Sequence, residues 1–176
     1  GDVQNLQFPN QSFDRVTAMH MLYHAPDINQ ALDELARVVK PTGIILITAN
    51  SEKSRGELGL LKAQAAKSMK REVFTDPNKR FNLENGSQMV QDHFRHTQTL
   101  MFESTLRLTE SEPYVEYFDS LREFWEPTPT DQEWSRVIDN TREYVSSQIE
   151  TKGEFTDILG FGVIVGSHNP LPSRFL

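Results

Sequence analysis

Gly1-Asp2-Val3-Gln4-Asn5-Leu6-Gln7-Phe8-Pro9-Asn10-Gln11-Ser12-Phe13-Asp14 runs into Arg15-Val16-Thr17-Ala18-Met19-His20-Met21-Leu22-Tyr23-His24-Ala25-Pro26-Asp27, and the reading of this stretch decides the fold. Phe13–Met21 contains the short apolar run around Val16, Ala18 and Met19, which predicts a buried strand. Beyond it Ile28, Ala31, Leu32, Leu35 and Val39 recur at helical spacing. Asp27 suits the N-cap of that helix, Gln30 stands three residues later as in a capping box, and Pro26 comes just before. Pro41 and Gly43 end the helix, and the β-branched run Ile44–Thr48 predicts a central strand. Strand, helix and strand on short connections imply two parallel strands joined by a right-handed crossover, hence an α/β class.

The texture changes near residue 55. Residues 55–72 predict a helix with Leu58, Leu61, Ala65 and Met69 on one face. Residues 75–83, with Pro77 and Asn78, read as a loop, and 84–94 as a short helix. Residues 97–108 alternate at strand period, two helices are expected over 111–125 and 131–150, and a last strand over 155–165. The aromatic stripe Tyr114, Phe118, Trp125 and Trp134 is expected to be core between the inserted helices rather than a substrate cage.

Composition narrows the chemistry. At 176 residues the chain fits one domain or most of one, and 37% hydrophobic with 24% charged residues suits a globular protein. It has no cysteine, which excludes disulfides, thiolate metal sites and cysteine nucleophiles. A formal charge of -7 argues against a duplex nucleic-acid partner, which needs clustered cations on the phosphates. Lys62, Lys67, Lys70 and Arg71 form the one basic stretch, read as the solvated face of a helix. No apolar run is long enough to span a bilayer, so neither a membrane nor a secretory route is expected, and the expected location is cytoplasmic.

The opening block, with Arg37-Val38-Val39-Lys40-Pro41-Thr42-Gly43 and the strand after it, resembles the class I S-adenosylmethionine-dependent methyltransferases that act on small molecules. Order, spacing and residue type agree over residues 1–50, with Gln7 in place of a usual proline and Thr42 in place of a usual glycine. Weaker agreement continues through Phe81-Asn82-Leu83-Glu84-Asn85-Gly86 and Gly153-Glu154-Phe155. The resemblance implies the C-terminal part of one Rossmann-like methyltransferase domain, residues 1–176. Its strands four to seven would comprise a strand-helix-strand core over 1–50 and a terminal antiparallel hairpin of 97–108 and 155–165. Helical insertions over 55–95 and 111–150 would form a substrate-side region.

The resemblance also implies a cofactor site for S-adenosylmethionine. Asp2 would accept the adenine amino group, the Val3 N–H would meet an adenine ring nitrogen, and Met19 and His20 would line the methionine end. A charged acceptor such as Asp2 selects adenine over bases lacking that donor. The acceptor would be a small molecule of unknown identity, with His20 and His24 the nearest candidate bases. No metal is expected: Pro26 and the strand context speak against a helical His20–His24 pair, and no carboxylate joins them in a metalloprotease pattern. His24 is expected either to line the site or to pack in the core.

A Gly-x-Gly turn opening a helix is not found. Gly160-Phe161-Gly162 with Gly166 lies inside a strand and reads as glycines that relieve crowding. The expectation is that strands one to three are missing and the chain alone is inactive. Phe13–Met21 would then be an exposed edge through which the protein dimerises. A non-catalytic truncated paralogue, serving as a dimerisation or partner-binding module, is the alternative.

Overall fold

The computed structural model describes residues 1–73 and 76–171. Four strands, β1 (Phe13–Met19), β2 (Val39–Asn50), β3 (His96–Leu108) and β4 (Phe155–Ser167), form one sheet in the order β1-β2-β4-β3. The helices are α1 (Ile28–Val38), α2 (Gly56–Met69), α3 (Leu83–His93), α4 (Glu112–Asp119) and α5 (Asp131–Lys152). β1 pairs with β2 in parallel, Val16 opposite Ile45 and Met19 opposite Thr48, so the strand-helix-strand reading of residues 1–50 holds. β2 pairs with β4 antiparallel, Ile47 opposite Ile164 and Asn50 opposite Phe161. The protein is α/β with an open four-stranded sheet. No helix among the described residues is long and apolar enough to cross a membrane.

Several local expectations change. Phe13–Met21 is expected from its apolar run as a buried strand and also as an exposed edge; β1 is an edge strand, stops at Met19 and buries only Ala18 among its residues. Two causes act. β1 lies at the sheet edge and has one neighbour. His20 then leaves the strand at φ 45°, its N–H held by the Thr48 carbonyl at 3.2 Å and hydroxyl at 2.9 Å. Val39, expected in the helix, is instead the first residue of β2, which starts five residues before Ile44. The extra length is accommodated by an irregularity: Phe13 pairs with Val39 while Arg15 already pairs with Ile44. Pro41 has no N–H to offer a ladder there. Gly43 tolerates no side chain, because a Cβ would stand 2.7 Å from Val39 Cγ2 and 2.9 Å from the Asp14 carbonyl oxygen.

The helix expected over 111–125 is divided. α4 ends at Asp119, and a separate 3-10 turn covers Arg122–Phe124. Ser120 supplies a reason, since its hydroxyl donates to the Tyr117 carbonyl at 2.6 Å and competes with the next helical N–H. The loop at 75–83 contains a 3-10 turn, Pro77–Lys79, capped by Asp76; residue 75 lies outside the described residues.

Two compact units emerge, Gly1–Ser54 with Asp76–Glu103 and the residues from Gly160, and Arg55–Thr75 with Ser104–Leu159. α3 falls in the first and α2 in the second. In the first unit Ala31, Leu32 and Leu35 of α1 meet Ile45 and Ile47 of β2, Val90 of α3, Phe81 and Ile164. Each such buried leucine, isoleucine or valine side chain contributes about 1.5–3 kcal/mol. In the second unit Tyr114, Phe118, Trp125 and Trp134 are all buried with the apolar face of α2. The aromatic stripe is therefore core. Arg71, at the end of the basic stretch, pairs with Glu133 at 3.0 Å and donates to the Pro127 carbonyl, so it serves packing within that unit.

Candidate functional site

The parallel strands β1 and β2 end side by side, and ligands of open α/β sheets bind beyond such carboxyl ends. Met19 is 58% exposed and His20 is exposed, so both sequence-derived candidates at this end are open to a ligand. The chain then makes a 3-10 turn, Leu22–His24, pinned by the buried Leu22 and Ala25. His24 is exposed with its ring 4.5 Å from that of Tyr23, which corrects the core-packing expectation for it.

Arg80 holds this loop by its backbone. Its guanidinium donates to the carbonyls of Tyr23 at 3.2 Å, Ala25 at 2.7 Å and Pro26 at 2.8 Å. Burial raises the Tyr23 phenol above its ordinary value, and the Asp76 carboxylate raises it further, so Tyr23 stays a neutral donor. Asn78 joins Asp76 to the end of β2, where Asn50 donates to it at 3.3 Å. Ser51 and the Glu52 N–H occupy both oxygens of Glu84, at 2.5 and 2.8 Å. Burial raises the Glu84 carboxyl, but these hydrogen bonds outweigh it and leave the value lowered.

The second part of the site is the turn that opens the chain. The Asn5 N–H reaches the Asp2 carbonyl at 3.1 Å, and the Gln4 N–H reaches Asp2 Oδ1 at 2.9 Å. Among the described residues neither the other Asp2 oxygen nor the Val3 N–H has a hydrogen-bond partner, while the Val3 side chain packs on the core. A free carboxylate oxygen beside a free N–H on adjacent residues is the acceptor and donor pair that one edge of adenine requires.

A polar ridge on α1 carries the turn. Asp27, Gln30, Glu34 and Arg37 share one face at helical spacing. Asp27 caps the helix by accepting the Gln30 N–H at 3.0 Å, as expected. The reciprocal half of the capping box is not made within the helix. Gln4 Oε1 accepts the Asp27 N–H at 2.5 Å, and the Gln30 side chain donates to the Gln4 carbonyl at 3.1 Å. Farther along, Glu34 accepts the Leu6 N–H at 2.7 Å, and Arg37 donates to the carbonyls of Leu6 and Phe8. The structure thus ties Asp2 and Val3 to the start of α1, directly after the loop that carries Met19, His20 and His24.

Arg80, Asp76 and Gln4 were not singled out from the sequence. The ridge at 27, 30, 34 and 37 was visible as polar residues at helical spacing. Nothing local marks Arg80, whose partners lie more than fifty positions earlier in the chain. In the second unit a cavity of about 140 Å³ lies between α2 and α5, lined by Leu61, Gln64 and Asn140 among others. It is smaller than ordinary ligand pockets of roughly 300–1,000 Å³.

Comparison with known proteins identifies what this fold resembles. Residues 1–47 match the family model of the methyltransferase domain. Through this block the chain is similar to the class I S-adenosylmethionine-dependent methyltransferases. The sterol 24-C-methyltransferase erg6 of Aspergillus fumigatus is 43% identical over 44 residues, 25% of this chain and 12% of that protein. The demethylmenaquinone methyltransferase of Staphylococcus epidermidis is 42% identical over 52 residues, 30% of this chain and 22% of that protein. The matched segment therefore spans less than a quarter of these curated relatives. Among solved structures, an Anabaena variabilis protein assigned as a methyltransferase of an antibiotic biosynthesis pathway superposes with TM-score 0.63, 14% identity, and coverage of 95% of this chain and 71% of that one. The YcgJ protein of Bacillus subtilis superposes with TM-score 0.53, 17% identity, and coverage of 97% and 70%. The structural likenesses establish the methyltransferase fold. S-adenosylmethionine is the cofactor of the family.

Proposed function

We propose that the protein transfers a methyl group from S-adenosylmethionine to a small-molecule acceptor, with residues 1–50 forming the adenine and methionine sides of the site. The observation that carries this reading is the unpartnered Asp2 oxygen beside the unpartnered Val3 N–H, on a turn held to the start of α1. The cofactor supplies a methyl on a sulfonium, which needs little activation. The protein's work is therefore binding and in-line alignment. Asp2 accepts the adenine amino group and the Val3 N–H donates to the ring. Met19 and His20 border the methionine end. The exposed imidazoles of His20 and His24 stand nearest to take a proton from an acceptor that must lose one. A cytoplasmic location suits a chain without cysteine.

Calorimetry of S-adenosylmethionine with the intact protein tests the reading, using Asp2→Ala for comparison. Saturable binding weakened at least about tenfold in Asp2→Ala is expected, the loss of one charged hydrogen bond. Equal affinity in the two proteins, or no saturable binding to either, would sink it.

A second reading, a non-catalytic module that pairs with another chain, is favoured by one observation. β1 lies at the sheet edge with Phe13 36% and Met19 58% exposed. A concentration-dependent dimer by light scattering, together with absent cofactor binding, is the outcome that reading requires.

A further inference from the structure

We propose that Gln4 is the positioning residue of the adenine-facing turn, acting as a two-way latch between that turn and the first turn of α1. This rests on the reading that Asp2 and Val3 meet adenine, and it concerns what holds them in place. The latch runs in both directions: the Gln4 side chain accepts the Asp27 N–H at 2.5 Å, and the Gln4 carbonyl accepts from the Gln30 side chain at 3.1 Å. Gln4 also gives its own N–H to Asp2 Oδ1 at 2.9 Å, so one residue orients the carboxylate and joins it to the helix.

The physical argument turns on where Asp2 sits. Its own side chain is exposed, it has no packing to define it, and its remaining oxygen must present a fixed direction to read a base edge. An exposed carboxylate on an untethered turn samples many directions, and ordering it on binding costs affinity. The orphan N–H groups at a helix start need acceptors in any case. Gln4 fills one of them, and in doing so places the turn against the first turn of α1. Asp27 itself follows Pro26, whose carbonyl Arg80 holds, so the adenine turn and the Met19–Pro26 loop share one anchor point.

The test measures the affinity of the intact protein for S-adenosylhomocysteine and for its inosine counterpart, which lacks the amino donor, along with the melting temperature. Gln4→Ala and Gln30→Ala each remove one half of the latch. Gln4→Glu keeps an oxygen for the Asp27 N–H. Gln4→Ala and Gln30→Ala are expected to lose about three- to tenfold in affinity for the adenine ligand and little for the inosine one, with the melting temperature unchanged. Gln4→Glu is expected to restore the preference for adenine. Wild-type discrimination in both alanine variants overturns the latch, as does an equal loss for both ligands accompanied by a lower melting temperature, which would make Gln4 a part of the fold only. Should Asp2→Ala abolish discrimination while the Gln4 and Gln30 variants keep it, the latch fails and the adenine reading stands. Absence of any adenine preference in the wild type removes the adenine reading itself.

Discussion

The Arg37 guanidinium meets the Glu34 carboxylate through two N–H donors, Nε to Oε1 at 2.7 Å and Nη2 to Oε2 at 2.8 Å. Such a fork is stronger than a single contact and fixes both groups in direction. The same guanidinium also reaches the carbonyls of Leu6 and Phe8 and the side chain of Asn10, and Glu34 takes the Leu6 N–H. One ion pair on α1 thereby grips the segment that carries Asp2 and Val3.

The pair makes stability depend on acid. The hydrogen bond from Arg37 holds the Glu34 carboxyl at about 2, below its ordinary 4.5, with burial opposing and the Leu6 N–H assisting. A carboxyl whose value is depressed by folding contributes fully above the unfolded value and loses its contribution as pH falls toward the folded one. Stability is therefore expected to decline between pH 4.5 and about 2. Glu34→Gln should flatten that decline and lower the neutral-pH melting temperature. Melting curves of the two proteins over this range check it, and parallel pH dependences would exclude Glu34 as the source.

Arg80 should matter more to activity than to stability. Arg80→Ala frees the three carbonyls of the Tyr23–Pro26 loop, of which the exposed ones of Tyr23 and Pro26 can be taken over by water. Loss of alignment at His20 and His24 is expected to reduce kcat/KM by about ten- to a hundredfold. The melting temperature should fall only slightly. Arg80→Lys, a point donor, should recover only part of the loss. A large melting shift with unchanged kcat/KM would contradict the positioning role.

Two glycines separate close approach from helix preference. A Cβ on Gly162 would stand 2.2 Å from the Leu100 carbonyl oxygen, a backbone atom that cannot turn aside. Gly162→Ala is expected to destabilise by about 1–3 kcal/mol. Gly59 lies inside α2 with nothing within 4 Å of a Cβ, so Gly59→Ala is expected to stabilise by about 0.4–1 kcal/mol. Denaturant midpoints measure both, and the same sign of change in the two variants would refute the distinction.

Asp157 is a buried carboxylate that caps α2 from a distant part of the chain. It accepts the Glu57 N–H at 3.2 Å and the Tyr114 hydroxyl at 3.0 Å. Burial, then Asp157, pushes the Tyr114 phenol far above its ordinary value, so it remains a donor at every working pH. Asp157→Ala orphans both donors and is expected to cost about 2–4 kcal/mol. Tyr114→Phe removes one donor together with its bond and should cost less. If the two variants unfold at the same denaturant concentration, the buried acceptor is not the dominant group.

Regular elements were largely readable along the chain. Ile28, Ala31, Leu32 and Leu35 repeat at the helical period because they all face one core, and α1 buries all four. Ile44, Ile45 and Ile47 belong to β2, an inner strand of the sheet, and they are buried, which a strand covered on both faces requires of its apolar run. The errors fall at ends. Val39 fits the helical period and yet starts β2, since pairing with Phe13 outweighs one residue of periodicity. The apolar run at Val16, Ala18 and Met19 made β1 look buried, and the expectation of an exposed edge is the one that the strand order matches.

The sequence by itself determined the methyltransferase resemblance, through the order and spacing of residues 1–50, the α/β class, and the identities of Asp2, Val3, Met19 and His20 as candidates at the site. Only the tertiary structure decided that Asp2 keeps one oxygen free, that Gln4 binds Asp27, and that Arg80 holds the carbonyls of Tyr23, Ala25 and Pro26. The physical reason is range. Periodicity and capping arise between residues a turn or a strand-pair apart and leave a local pattern. Hydrogen bonds from Arg80 to Ala25, or from Gln4 to Asp27, form between atoms that folding alone brings together, and no local pattern of residue types encodes them.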